Sequence, residues 1–174
     1  MSFLVLDPRG ESDRGGFALP PALRQTRGTV VALLDNGKIG SARFLDLIEE
    51  ILRADHGVAH FIRACKPDAS RSVPAGMLAE LATADALVTA TGDCGSCSSC
   101  TVHDAIEAER AGVPSAAIIT DRFKRTAQSI AEVNGVPGYG VAVVDHPIAN
   151  ADEQGLRARA VIAVQQILAL WTER

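Results

Sequence analysis

The sequence predicts an α/β fold: a five-stranded, mainly parallel sheet in a doubly wound three-layer α/β/α sandwich. It forms a single domain over residues 29–174, preceded by an irregular N-terminal arm over residues 1–28. Three observations point there. Short β-branched, apolar runs alternate five times with stretches of helical periodicity, the rhythm of a parallel sheet with crossover helices. The runs are apolar throughout rather than alternating, as in strands covered on both faces. A chain of 174 residues, 47% of them hydrophobic, suits one domain with a sizeable core.

The elements follow in order. "RGESDRGGFALPP" mixes charge with turn residues and has no period, which marks the arm. "TVVALLD" (29–35) is the first strand. "SARFLDLIEEILRA" (41–54) sets Phe44, Ile48 and Leu52 on one helix face. "GVAHFIRA" (57–64) is the second strand, and "PAGMLAELATA" (74–84), opened by proline, the second helix. "DALVTAT" (85–91) is the third strand. A helix from about residue 98 is closed by Gly112 and Pro114. "PSAAIIT" (114–120) is the fourth strand, and 121–135 a helix with Asp121 or Thr120 as N-cap and Gly135 at its end. "GVAVVDHP" (140–147) is the fifth strand. The last helix runs from about 151 to 172, with Asn150 and Glu153 at capping-box spacing and an apolar stripe of Leu156, Ala160, Ala163, Ile167 and Trp171.

Composition excludes several classes. The net charge is −4, from 17 basic and 21 acidic residues, and no basic stripe appears, so nucleic acid is not an expected partner. No run is long enough to span a membrane, and the start has no basic segment leading into an apolar core, so no signal peptide is expected. A cytoplasmic, reducing location is expected, where clustered cysteines serve catalysis or metal binding rather than structural disulfides. A mean hydropathy of +0.13 and the terminal "ILALW" leave a homodimer open.

In a doubly wound sheet, ligands bind outside the carboxyl ends of the strands. The five loops at that edge carry Asp35-Asn36-Gly37-Lys38, Cys65-Lys66-Pro67-Asp68, Gly92 to Cys97, Thr120-Asp121-Arg122 and Asp145-His146. The third holds Cys94, Cys97 and Cys100 at three-residue spacing. A Cys-x-x-Cys at a helix start favours a thiolate, because unpaired N–H groups and the helix dipole stabilise negative charge there. Gly92 and Gly95 would permit the sharp backbone, and Ser96 could donate to a sulfur. Two other readings stay open. Cys94, Cys97, Cys100 and Cys65 could hold zinc or an iron–sulfur cluster, although Cys97 and His103 fall about 120° apart around a helix axis. Buried cysteine also serves as a small hydrophobe, which suits Cys100 best.

"GDCGSCSSCTVHDAIEAERAGVPSAAIITDRF", the later "VDHPIA" and the earlier "LLDNGK" resemble the family named for its UGSC motif, in which selenocysteine or cysteine precedes Gly-Ser-Cys. The chain is more distantly similar to the selenoprotein B component of glycine, sarcosine and betaine reductases. The resemblance implies that Cys94 takes the selenocysteine place as nucleophile and that Cys97 is its resolving partner. This chain has sulfur where the family can have selenium, and a counterpart of the reductases' second large domain is not expected in it.

Around that pair, Asp93 is expected to orient the loop or act as acid/base, and His146 or His103 to protonate a leaving group. Asn36, Lys38, Gly95, Ser96, Thr120 and Arg122 are expected to bind a small, anionic substrate. Asp104 reads as a helix-face residue facing a neighbour. The expected activity is thiol-dependent redox or substitution at a carbon–heteroatom bond. It needs no cofactor beyond an external reductant, either a thiol-redox protein or a low-molecular-weight thiol. A cysteine-dependent lyase or hydrolase without net redox, and a metal-binding accessory protein, are the alternatives.

Overall fold

The computed structural model describes residues 17–173; the first sixteen residues of the expected arm, and Arg174, lie outside them. Residues 17–28 contain no helix or strand and are held by backbone hydrogen bonds from Leu23 to Trp171 (2.8 Å) and from Gly28 to Gly57 (2.9 Å).

Five parallel strands follow: β1 (Val30–Asp35), β2 (His60–Cys65), β3 (Ala86–Gly92), β4 (Ser115–Thr120) and β5 (Ala142–Val144). Their order in the sheet is β2-β1-β3-β4-β5. The helices are α1 (Ser41–His56), α2 (Ala75–Leu81), α3 (Gly95–Arg110), α4 (Lys124–Val133) and α5 (Glu153–Thr172). The period-two alternation of a strand divides its side chains between two layers. Val31 and Leu33 of β1 pack with Phe44, Ile48 and Leu52 of α1 and with Ile167 and Trp171 of α5. Ala32 and Leu34 face Leu81 of α2 and Ala108 of α3, while Ala117 and Ile119 of β4 pack with α3 and α4. The predicted stripes of α1 and α5 are therefore the buried ones, and the three layers are α1/α5, the sheet and α2/α3/α4. The "ILALW" stretch sends Ile167 and Trp171 into this core.

Several boundaries differ from the sequence reading. β2 is not covered on both faces: His60, Arg63 and Cys65 are exposed, because β2 is an edge strand. β5 is only three residues long. α3 begins at Gly95, three residues earlier than predicted, with Cys94 as its N-cap. Neither Thr120 nor Asp121 caps α4; a single 3₁₀ turn (Asp121–Phe123) intervenes, and no side chain caps α4. Asp152, not Asn150, caps α5, its carboxylate accepting from Gly155 N at 2.7 Å.

The β2–α2 loop is pinned to α3 by a buried ion pair. Lys66 Nζ lies 2.6 Å from Asp104 Oδ2, both side chains 1% exposed. Lys66 also donates to Arg71 O, and Asp104 Oδ1 accepts from Val73 N at 2.8 Å. Removing one partner of such a pair strands a buried charge. Asp104→Ala is expected to lower stability by about 3–5 kcal/mol in urea unfolding, and Lys66→Met with Asp104→Leu to recover most of that loss. A cost below about 1 kcal/mol for the single change would show that the pair does not hold the loop.

Candidate active site at the β1/β3 switch point

β1 lies between β2 and β3, so the chain leaves β1 to one side and returns to β3 on the other. That reversal opens a crevice at the carboxyl ends of β1 and β3. The β1–α1 loop, carrying Lys38, and the β3–α3 junction, carrying Cys94, both emerge there.

The cysteine loop is short because Cys94 is itself the helix cap. Its backbone is extended, and its Sγ accepts from Cys97 N at 3.4 Å, taking the place of the usual oxygen cap. One turn of helix then brings the Cys97 Sγ to 2.8 Å from the Cys94 Sγ. Ser96 Oγ stands 3.7 Å from Cys94 Sγ. Cys94 is half-buried, whereas Cys97 is fully buried. Burial pushes the Cys94 thiol upward. The Cys97 thiol and N–H, the Ser96 hydroxyl and the Lys38 charge outweigh it, leaving Cys94 below the usual thiol range. Cys97 moves the other way, pushed up to about 11 by burial and then by the hydrogen bond and charge of Cys94. The pair is thus divided: Cys94 is the more acidic thiol and Cys97 the less acidic one.

The glycines serve differently from the expectation. Neither Gly92 nor Gly95 has a positive φ. A Cβ on Gly92 would collide with Ile119 and lie 3.0 Å from Ser98 Cα, so Gly92 lets α3 pack close on the sheet. A Cβ on Gly95 would meet nothing; with Ser96 it forms an exposed rim.

Asp93 joins the cysteine loop to the β5–α5 loop. Its Oδ2 accepts from Ile148 N (3.1 Å) and Ala149 N (3.2 Å), so the N–H groups it binds come from a distant loop rather than its own. Its Oδ1 lies 2.9 Å from His146 Nδ1, a charge contact outside hydrogen-bond alignment. The same Nδ1 is 3.2 Å from Thr120 Oγ1, which donates to Gly92 O at 3.1 Å. With the Thr120 proton committed, Nδ1 is assigned as the donor, which leaves Nε2 as the basic nitrogen of the neutral ring. His146 N donates to Asp121 Oδ1 (3.2 Å), and Phe123 packs edge-on at 5.8 Å. The His146–Pro147 peptide bond is cis. Nε2 has no partner among the described residues.

Other expected site residues fall elsewhere. Thr120 is fully buried, its hydroxyl turned to Gly92 O and the His146 ring rather than to solvent. Asn36 is also buried; its Nδ2 donates to Thr91 O (2.8 Å) and its Oδ1 accepts from Lys38 N (3.2 Å), so it shapes the Lys38 loop. His103 is not brought to the cysteines: its Nδ1 pairs with Asn134 Oδ1 at 3.0 Å, at the far end of α4. Arg122 is exposed on the 3₁₀ turn. Cys65 is exposed and donates to Lys66 O at 3.6 Å; burial and the Asp35 carboxylate push its thiol up. Burial likewise raises Cys100. Among the described residues, no three His, Cys, Asp or Glu side chains are gathered to hold a metal. A cavity of about 780 Å³ lies at the opposite edge of the sheet, lined by Pro20, Ser115, Tyr139 and Leu170 among others, and contains none of the expected site residues.

Set beside known proteins, the chain matches a profile of the UGSC family over residues 4–173. The chain belongs to the UGSC family. No curated protein matches it. Among solved structures, the glycosyltransferase SnogD from Streptomyces nogalater is similar at 19% identity with a TM-score of 0.35. That alignment covers 96% of the UGSC-family chain and 43% of the glycosyltransferase, so this chain spans less than half the length of that structure. No helix among the described residues is long and apolar enough to cross a membrane.

The electrostatics of this UGSC-family site give a direct test. Alkylation of native protein, followed by peptide mapping, is expected to modify Cys94 with a pH midpoint below the ~8.5 of a free thiol and to spare Cys97. Lys38→Met is expected to move that midpoint upward and slow the neutral-pH reaction about twofold, as befits an exposed charge. A Cys94 midpoint at or above that of Cys65 would contradict the assignment.

Proposed function

We propose that this protein is a thiol-dependent enzyme acting on a carbon–heteroatom bond of a small anionic molecule, with Cys94 as nucleophile and Cys97 as resolving thiol. The observation that carries this reading is the 2.8 Å contact between a half-buried Cys94 sulfur and a fully buried Cys97 sulfur. A structural pair of cysteines has no need of one sulfur left open to solvent and the other enclosed at contact distance behind it.

The chemistry balances in two steps. Cys94 Sγ attacks carbon and displaces the heteroatom; His146 Nε2, having first taken a proton from water, passes it to the leaving group. Cys97 then gives up its proton and attacks Cys94 Sγ. The carbon–sulfur bond breaks, its electron pair stays on carbon and takes up a proton, and a Cys94–Cys97 disulfide remains. The substrate gains two electrons and the pair loses two. Carbon holds the departing pair best beside an electron-withdrawing group such as a carbonyl or carboxyl, which fits an anionic substrate placed by Lys38 and the amino end of α3. No bound cofactor is required, but a cellular thiol must reduce the disulfide. Asp93 and Thr120 hold His146 in the tautomer that presents Nε2.

Incubating the Cys97→Ser variant with small carboxylates bearing an amino or ether substituent next to the carboxyl group is expected to accumulate an adduct on Cys94, read by intact mass and peptide mapping. Wild-type protein is expected to pass through that adduct to the disulfide. His146→Asn is expected to slow adduct formation about 10²- to 10⁴-fold. Turnover that survives in Cys97→Ser would assign a lyase or hydrolase instead, and loss of turnover in Cys65→Ser alone would remove Cys94 from the central role.

A further inference from the structure

The site has one door. Once Cys94 and Cys97 are joined as a disulfide, a reductant must break it by in-line attack of a thiolate on one of the two sulfurs, and access decides which. Cys97 has no exposed surface. It sits in the first turn of α3, on the face that turns inward with Ser98, Thr101 and Val102. Cys94 is the N-cap, half-buried at the crevice, flanked by exposed Gly95 and Ser96 and by Lys38 on the neighbouring loop. The two other thiols do not offer a route around this arrangement. Cys65 is occupied with Lys66 O at the end of edge strand β2, and Cys100 lies a further turn along α3 from Cys97.

Resting on the redox reading above, we propose that the reductant is a thiol that attacks Cys94 Sγ alone, so that substrate and reductant use the same sulfur in turn and the enzyme cycles by a ping-pong sequence. An external thiolate bonds to Cys94 Sγ. The Cys94–Cys97 bond breaks, and Cys97 takes the electron pair and then a proton from water. A second thiolate attacks the external sulfur, releasing an external disulfide and Cys94 as thiolate. Two external thiols lose two electrons and the protein pair gains two. Both a low-molecular-weight thiol and a dithiol protein carry this chemistry.

The test uses Cys97→Ser and Cys94→Ser proteins, each treated with oxidised glutathione and, separately, with a dithiol reductase whose own resolving cysteine is replaced and whose remaining thiol is activated as a mixed disulfide. Adducts are mapped by peptide mass, and exposed Cys65 serves in every sample as the internal control that reagent and fold are sound. The expected result is an adduct on Cys94 in Cys97→Ser that forms at least about tenfold faster than any adduct on Cys97 in Cys94→Ser. The arm giving the faster Cys94 reaction identifies whether the physiological thiol is small or protein-borne. Comparable rates at Cys97 in Cys94→Ser would overturn the proposal. Selective reaction at Cys94 in a protein whose wild-type form never closes the disulfide would uphold the single door and remove the redox reading.

Discussion

A sulfur atom performs a task usually given to an oxygen. By accepting the Cys97 N–H, Cys94 Sγ starts α3 immediately after β3, and the rest of the site follows from that placement. Because the cap is three residues before Cys97, the second sulfur must arise on the first turn, on the same side, against the first. The cap contact and the sulfur–sulfur contact both favour negative charge on Cys94, and burial of Cys97 keeps the remaining proton there. Position and ionisation therefore have one cause. A helix beginning three residues later would have left Cys94 in a loop, with neither a fixed neighbour nor an N–H to stabilise its charge.

The sheet supplies what the helix cannot. The order β2-β1-β3-β4-β5 opens its crevice beside β3, and three loops are tied together there by side chains bonded to one another's backbone. Asn36 bridges the β1 loop to Thr91, Asp93 bridges the cysteine loop to residues 148 and 149, and Thr120 bridges β3 to His146. Each is a buried or nearly buried polar group with its hydrogen bonds directed at backbone or at one other side chain, which is how such groups are tolerated and how they fix geometry. Asp93 joins both sides of the site: it precedes Cys94 in sequence and lies against the His146 imidazole in space.

Much of this was legible beforehand because it rests on period and position. Phe44, Ile48 and Leu52, and the stripe from Leu156 to Trp171, announce their buried faces by spacing alone, and the carboxyl edge of a parallel sheet is a general place for a site. Cys94, Cys97, Lys38 and His146 were singled out that way, and the structure places all four at that edge. Asn36 and Thr120 read as open to a substrate because a polar residue at a strand end looks the same whether it faces solvent or a neighbouring loop; only the packing of three loops shows that both are buried. His103 was misread because a helix six residues past Cys97 has turned away and advanced about 9 Å. Lys66 with Asp104 was the largest omission. Asp104 carried a faint signal, standing between Thr101 and Ala108 on the buried side of α3, where a carboxylate demands a partner. That the partner is Lys66, from a loop 38 residues earlier, is a tertiary fact.

The account depends most directly on the two sulfurs of the first turn facing each other. Mild oxidation of the native protein, followed by intact mass and mapping of disulfide-linked peptides, measures that without reference to any substrate. The account predicts a loss of two hydrogens located between Cys94 and Cys97 and restored by a thiol, with Cys65 and Cys100 still free. Oxidation that leaves Cys94 and Cys97 both reduced, or that joins either of them to Cys65 or Cys100, would contradict it.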